Sequence, residues 1–296
     1  MKKHSALNWL VPPIALFALV AAGAGLFLKT EGSSYTFATL FGATVQIYGR
    51  GLYAHDTIFS AGASQGADIV ALFIALPLLI ISFILYRRGS LRGGLLLASA
   101  LAYYLYYGAS LGLIVAYNNL YLVYLALFSV SFFAFVLSFT IFDLPTLPDR
   151  ISSRLPRHRM AIFMFVVGIG MAFIWLSDVI HALLTGGVPG ALGANISLIT
   201  YTIDVGIIAP AALLAGYQLL KGAPLGYLLT GVLTILLALV GAMVIAQTIM
   251  QLSIGVELSP GQLVGMVSTW IVMGGIAVWL SIVFLQNLPN SVAIAE

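Results

Sequence analysis

The chain contains no cysteine, and only 7% of its 296 residues are charged. The absence of cysteine excludes disulfides, thiolate metal sites, iron–sulfur clusters and cysteine nucleophiles. Soluble domains carry about 25% charged residues, and a water-facing surface cannot be built from far fewer. Intrinsic disorder requires low hydrophobicity, whereas 61% of these residues are hydrophobic. The sequence therefore predicts an integral membrane protein, and its net charge of +3 does not indicate a nucleic-acid partner.

Eight stretches have the length and composition of membrane-spanning helices, which need about 20 mostly apolar residues. They cover residues 8–28, 67–86, 94–117, 120–142, 160–183, 199–220, 225–250 and 264–286. Prolines 12, 13, 77 and 210 lie inside them, which is tolerated where neighbouring helices satisfy the freed backbone groups. We therefore expect an all-α integral membrane protein with eight transmembrane helices and the lipid bilayer as its partner.

The positive charges fall on one side of this topology. Placing the N-terminus inside puts ten basic residues in the cytoplasm: Lys2, Lys3, Arg87, Arg88, Arg92, Arg150, Arg154, Arg157, Arg159 and Lys221. Only Lys29 and Arg50 then fall outside. This bias predicts a multi-pass protein of the cell (inner) membrane with both termini cytoplasmic.

The first apolar segment also has the features of a secretory signal peptide, because two lysines precede it and small residues follow. Cleavage would leave seven spans and move the N-terminus outside. The apolar run from Trp9 to Leu28 is as long as a full span, which favours a retained anchor.

A constant spacing of 133 residues relates parts of the two halves of the chain. It joins Pro77 to Pro210, Arg88 to Lys221, Gly89 to Gly222 and Gly93 to Gly226. This spacing predicts an internal repeat of two parallel four-helix halves, related by an axis along the membrane normal. The halves are residues 1–142, which include an outer loop at 29–66, and residues 160–296, with a cytoplasmic linker at 143–159 between them.

The outer loop contains a pattern typical of a small extracytoplasmic β-hairpin. Tyr35, Phe37, Thr39 and Phe41 alternate along one segment, and a second apolar segment follows the glycine at position 42. Two roles remain open for this hairpin, a structural cap on the bundle or a lid over a binding site.

The polar groups outside the basic turns concentrate on the outer side. Ionisable groups at the ends of spans usually face the bundle interior or a water-filled cavity. The sequence therefore predicts an outward-facing acidic vestibule, although solvation among lipid headgroups is the alternative. Its candidate residues are Asp68, Asp178, His181 and Asp204, with Tyr103 and Tyr107 deeper, and Arg50, His55 and Asp56 in the outer loop.

Four tyrosines lie near the centre of the third span, at positions 103, 104, 106 and 107. Buried tyrosine hydroxyls need hydrogen-bond partners. The four side chains therefore either bond to neighbouring helices or line a cavity.

Evidence for a metal site in the sequence is weak. His55, His181 and Asp178 carry ligand atoms that zinc or iron accepts, but no compact histidine motif joins them. Ser177, Asp178 and His181 share one helix end, where a catalytic triad geometry is hard to achieve. The sequence leaves the identity of any cofactor open.

Two segments resemble a group of uncharacterised bacterial multi-pass membrane proteins. The first runs Gly49-Arg50-Gly51-Leu52-Tyr53, then Asp56 and Gln65-Gly66-Ala67-Asp68, and the second comprises Arg87–Gly93 and the Tyr117-Asn118 turn. The similarity covers residues 45–230. It implies an integral membrane protein of no assigned activity and transfers no catalytic residue.

Three functional hypotheses follow. The first is a transporter-like protein that handles a small solute, a cation or protons through the acidic vestibule. The second is a non-catalytic subunit that packs with other membrane subunits or with a second copy of the chain. The third is a membrane-embedded enzyme that uses a metal ion, and the sequence favours a non-enzymatic role over it.

Overall fold

The computed structural model describes residues 4–289, apart from the side chains of residues 262 and 266. Within this part of the chain, eight helices are long and apolar enough to cross a membrane. They are α1 (Ser5–Phe27), α2 (Ile58–Arg87), α3 (Leu91–Leu113), α4 (Tyr121–Phe139), α5 (Arg157–Thr185), α6 (Ile199–Leu220), α7 (Pro224–Ser253) and α8 (Leu263–Gln286). The predicted helical multi-pass architecture is confirmed to that extent.

The predicted β-hairpin is also present. Strands β1 (Tyr35–Ala38) and β2 (Thr44–Ile47) pair antiparallel, with Tyr35 opposite Ile47. Gly42 turns the chain between them with a φ of +81°, a conformation that glycine adopts without strain. Most residues of both strands are exposed, so the hairpin projects from the bundle.

Helices α3 and α7 form the centre of the bundle. In their most apolar stretches 78% and 72% of the residues are buried, compared with 28–39% in the other six helices. Helices α2, α4 and α7 pack on α3, and helices α2, α6 and α8 pack on α7. The six outer helices expose large apolar side chains, which is the surface expected of a protein surrounded by lipid.

Hydrogen bonds between distant segments define the two ends of the bundle. At one end the Arg92 guanidinium donates to the Leu288 carbonyl at 2.7 Å, and Arg157 donates to the Tyr227 hydroxyl at 3.1 Å. We call this the basic end. At the other end, the loop end, the Gln251 amide of α7 donates to the Phe59 carbonyl of α2 at 3.1 Å.

One boundary differs clearly from the prediction. The sequence places the outer loop up to residue 66, but α2 begins at Ile58, directly after an N-cap in which the Thr57 hydroxyl accepts the Ser60 N–H. The added segment is small and polar, and its Gly62 and Gly66 lie directly against the backbone of α7. It is helical because of this packing rather than its hydropathy. The other helix boundaries lie within four residues of the predicted ones.

Helices α2 and α6 are each interrupted by a five-residue π-helical turn, at Ala71–Ala75 and Asp204–Ile208. A proline follows each turn, Pro77 in α2 and Pro210 in α6. Proline lacks an N–H and cannot make the usual helical bond, so a local change of hydrogen-bond register before it is expected. The two π turns are 133 residues apart, as the two prolines are.

The turns between α2 and α3 and between α6 and α7 have the same backbone geometry. Gly89 and Gly222 occupy equivalent positions with φ of +83° and +68°. Gly93 and Gly226 begin the next helix so close to the preceding one that a Cβ would lie 2.6 Å and 2.3 Å, respectively, from its backbone. The similarity predicted from the 133-residue spacing therefore extends to the local structure of these two turns.

Candidate functional site

A cavity of about 350 Å³ lies between α3, α6 and α7, with further contributions from the start of α2 and the end of α5. On α7 its lining runs from Leu236 to Gln251, which is about 22 Å at 1.5 Å per residue. It therefore reaches from the loop end to the middle of the bundle. The charged residues of its lining are Asp56 and Asp204, and we call it the acidic cavity.

Asp204 is the deeper of the two carboxylates and is 4% exposed. It begins the π turn of α6, about one and a half helical turns below the loop end. The Trp175 indole N–H of α5 donates to its Oδ2 at 3.0 Å, and the Tyr106 hydroxyl of α3 is a second donor. Three helices thus fix the carboxylate on the cavity wall.

Asp178 lies above this group, at the end of α5. It accepts hydrogen bonds from the Tyr201 hydroxyl at 2.8 Å and from the Gly190 N–H at 3.0 Å. The Tyr201 ring also packs on Trp175, with 4.4 Å between the ring centroids and 31° between the ring planes. Asp178 therefore holds the loop before α6 and supports the aromatic pair, but it does not line the acidic cavity.

Asp56 lies near the mouth of the acidic cavity and is 6% exposed. Its Oδ1 accepts the Ala116 N–H at 3.0 Å, while its buried Oδ2 has no hydrogen-bond partner among the described residues. Burial raises the pKa of this carboxyl from 3.8 to about 6, and the Ala116 hydrogen bond and nearby His55 oppose the rise only in part. The cavity wall therefore includes a carboxylate with an unused acceptor.

Asp68 lies outside the acidic cavity, where it is completely buried between α1, α2 and α3. Its two oxygens accept hydrogen bonds from the Tyr53 hydroxyl at 2.7 Å and the Tyr107 hydroxyl at 2.5 Å. Gly25 of α1 leaves room for this group, since a Cβ there would lie 2.8 Å from the Tyr53 oxygen. Asp68 thus ties the loop before α2 to the helix bundle.

The four central tyrosines divide between the two predicted roles. Tyr104 donates to the Ala71 carbonyl of the α2 π turn at 2.7 Å, and Tyr103 donates to the Ala67 carbonyl at 3.5 Å. Tyr106 and Tyr107 line the acidic cavity while bonding to Asp204 and Asp68. Tyr103 and Tyr104 act in helix packing, and the other two contribute to the cavity as well.

The structure does not gather all the predicted vestibule residues at one place. Of the six, Asp204 and Tyr107 line the acidic cavity, whereas Asp68, Asp178, His181 and Tyr103 do not. In the outer loop, Asp56 lines it. His55 is exposed, and Arg50 is exposed with its guanidinium 4.9 Å from the centre of the Tyr48 ring.

Sequence reasoning missed several residues of the cavity wall. Trp175 was not singled out, although it donates to Asp204. Gln247 and Gln251 also line the cavity from α7. Two glutamines four residues apart share one helix face, so this polar pair in an otherwise apolar span was an available signal.

Among the described residues, no three histidine, aspartate or glutamate side chains group closely enough to hold a metal ion. The weak candidates His55, His181 and Asp178 therefore do not form such a group.

No protein family, curated protein or solved structure matches this chain. The fold itself defines a helical protein whose eight long apolar helices suit a membrane. What can be inferred about function comes from the geometry of the acidic cavity.

Proposed function

We propose that this is a membrane protein of transporter type, which takes a small cation into the acidic cavity. The observation that carries the proposal is the charge of the cavity wall. Asp56 and Asp204 line it, and the described lining contains no lysine, arginine or histidine. Carboxylates without compensating cations make a site that attracts positive charge and repels anions.

The distribution of basic residues indicates the side of the membrane to which the cavity opens. Arg88, Arg92, Arg157 and Lys221 belong to the basic end, where α2, α4, α6 and α8 finish. Under the positive-inside rule this end faces the cytoplasm of a cell (inner) membrane, with both termini inside. The acidic cavity, which reaches the loop end, then opens to the exterior.

An internal duplication accounts for the position of the cavity. The equal spacing of the π turns, the helix turns and the two central helices supports two parallel four-helix halves. The 133-residue spacing makes α6 the counterpart of α2 and α3 the counterpart of α7. The counterpart of the contact between α2 and α7 would therefore be a contact between α6 and α3. Gly62 and Gly66 permit the first contact, whereas their counterparts are Asn195 and Ile199. Both of these larger residues line the cavity.

Replacement of Asp204 by asparagine tests the proposal. The asparagine oxygen still accepts from the Trp175 N–H, so the fold is expected to survive while the charge is lost. We expect flux into liposomes to fall at least about tenfold, the effect of losing about 1.4 kcal/mol of binding. Proton flux is followed with a pH-sensitive dye, sodium with a fluorescent indicator and organic cations with radiolabelled tetraethylammonium.

The matched control is Glu257→Gln, which removes one negative charge from an exposed position at the same end, outside the cavity lining. It should transport as the wild type does. Wild-type flux of every cation in folded Asp204→Asn would show that the acidic cavity is not the transport site.

A further inference from the structure

We infer that the ligand of the acidic cavity is an organic cation with an apolar body, such as an alkylammonium or arylammonium ion, with its nitrogen beside Asp204. This inference rests on the proposed function and narrows its substrate class.

The size and lining of the cavity favour an organic ligand. Pockets for small organic molecules typically have volumes of roughly 300–1,000 Å³, and the 350 Å³ of the acidic cavity falls within this range. Its walls at the level of Asp204 and below are mainly apolar, with Met171, Ile208, Leu236, Leu237, Val240 and Met243 among them. Such walls favour the carbon skeleton of a ligand, because its contact with them removes apolar surface from water.

The surroundings of Asp204 suit an ammonium group better than a metal ion. Calcium takes about 6–8 oxygen ligands and magnesium takes six in near-ideal geometry. Two of the lone pairs on Asp204 are already used by Trp175 and Tyr106. Among the described residues, Asp204 belongs to no group of three or more acidic or histidine side chains that could hold a metal ion. One carboxylate with free lone pairs remains, which suffices for a single ammonium ion.

Aromatic rings complete the site. The Trp175 and Tyr201 rings are in contact, with 4.4 Å between their centroids, and both line the cavity together with Tyr106 and Trp270. The faces of such rings carry negative potential and attract ammonium ions, most strongly where water is excluded. Aromatic rings in the lining of a binding site are a recognised means of binding substituted ammonium ions.

Asp56 provides a second negative charge that attracts a cation, closer to the loop end than Asp204. Asp56 is one of the two charged residues of the cavity lining, and its Oδ1 accepts the Ala116 N–H. A second carboxylate on the path inward raises the local concentration of cations and adds nothing for a neutral or anionic solute.

Calorimetric titration of the full chain in lipid nanodiscs tests the inference. The probes are benzyltrimethylammonium, tetramethylammonium, sodium and phenylacetate, which separate the contributions of charge and apolar body. We expect benzyltrimethylammonium to bind at least about tenfold more tightly than tetramethylammonium, in line with burial of one aromatic ring. Phenylacetate and sodium should give no binding heat.

Asp204→Asn should weaken benzyltrimethylammonium binding at least about tenfold, and Glu257→Gln should leave it unchanged. Equal affinity for phenylacetate, or no preference over tetramethylammonium, would overturn the assignment. So would wild-type affinity in Asp204→Asn.

Binding and transport separate this inference from the proposed function. Proton or sodium flux that depends on Asp204, without ammonium binding, would support the transporter and refute the organic ligand. Ammonium binding that depends on Asp204, without flux of any cation, would support the ligand class and refute transport.

Discussion

Substitution of Gly66 by alanine should disrupt the close packing of α2 on α7. A Cβ at this position would lie 2.2 Å from the Gln247 Cα and 2.3 Å from its nitrogen, whereas an ordinary contact begins at 3.4 Å. The obstacle is backbone, which no side-chain rotation relieves, so the helices must separate by about 1.2 Å. Because the obstacle is backbone, we take the upper end of the cost of overpacking, about 3 kcal/mol, and the gain of about 1 kcal/mol in helix propensity leaves a net loss of about 2 kcal/mol.

The assay is thermal unfolding of the purified protein in detergent, followed by the loss of its monodisperse gel-filtration peak. At about 2 °C per kcal/mol for a chain of this size, the net loss of about 2 kcal/mol in Gly66→Ala should lower the apparent Tm by roughly 4 °C. Gly112→Ala in α3 and Gly23→Ala in α1 are matched controls, because their Cβ atoms meet nothing within 4 Å. Equal unfolding temperatures for Gly66→Ala and these controls would refute the close contact.

Two further predictions concern the loop end and the central tyrosines. An unfolded Asp56 loses its proton near pH 4 but the folded one near pH 6, so the free energy of unfolding should fall by about 3 kcal/mol as the pH rises through this window. The apparent Tm of Asp56→Asn should therefore decrease less than that of the wild type as the pH rises from 4 to 7. An equal decrease of the apparent Tm in both proteins over this pH range would contradict the prediction. Tyr104→Phe should cost about 1 kcal/mol of stability, and Tyr103→Phe less, since their hydroxyls lie 2.7 Å and 3.5 Å from the Ala71 and Ala67 carbonyls. Denaturation of both variants under the same conditions compares their free energies of unfolding. A larger loss of stability in Tyr103→Phe than in Tyr104→Phe would contradict the prediction.

The helices were predictable because their signal is strong and local. Runs of about 20 apolar residues specify a membrane helix without knowledge of its neighbours. Residues 58–66 carry no such signal, since their helix depends on glycines that meet α7 nearly 200 residues later. The β-hairpin was predictable for a similar reason, because alternation and one glycine are local features.

The candidate site was only partly predictable, because two aspartates with similar sequence surroundings have different environments. Asp68 and Asp204 both stand early in a proline-containing helix, just before or at its π turn. Asp68 accepts hydrogen bonds from two tyrosines and is completely buried, whereas Asp204 lines the acidic cavity. The difference depends on side chains from other helices, including Trp175, whose approach the sequence of α6 does not encode.

The π turn of α6 changes the direction in which side chains point before the turn relative to those after it. A regular α-helix of the same length would orient the two sets differently. A π turn holds one residue more than an α turn, and each residue rotates the helix by about 100°. At the first residue of the turn, Asp204 accepts the Trp175 N–H, and after the turn Ala212, Ala215 and Leu219 are buried in the bundle. Deletion of one residue from Asp204–Ile208 would convert the π turn to a regular α-helical turn. The side chains on one side of the turn would then rotate by about 100° away from the residues that they contact. The packing of α6 in the bundle therefore depends on the length of this segment and not only on its side chains.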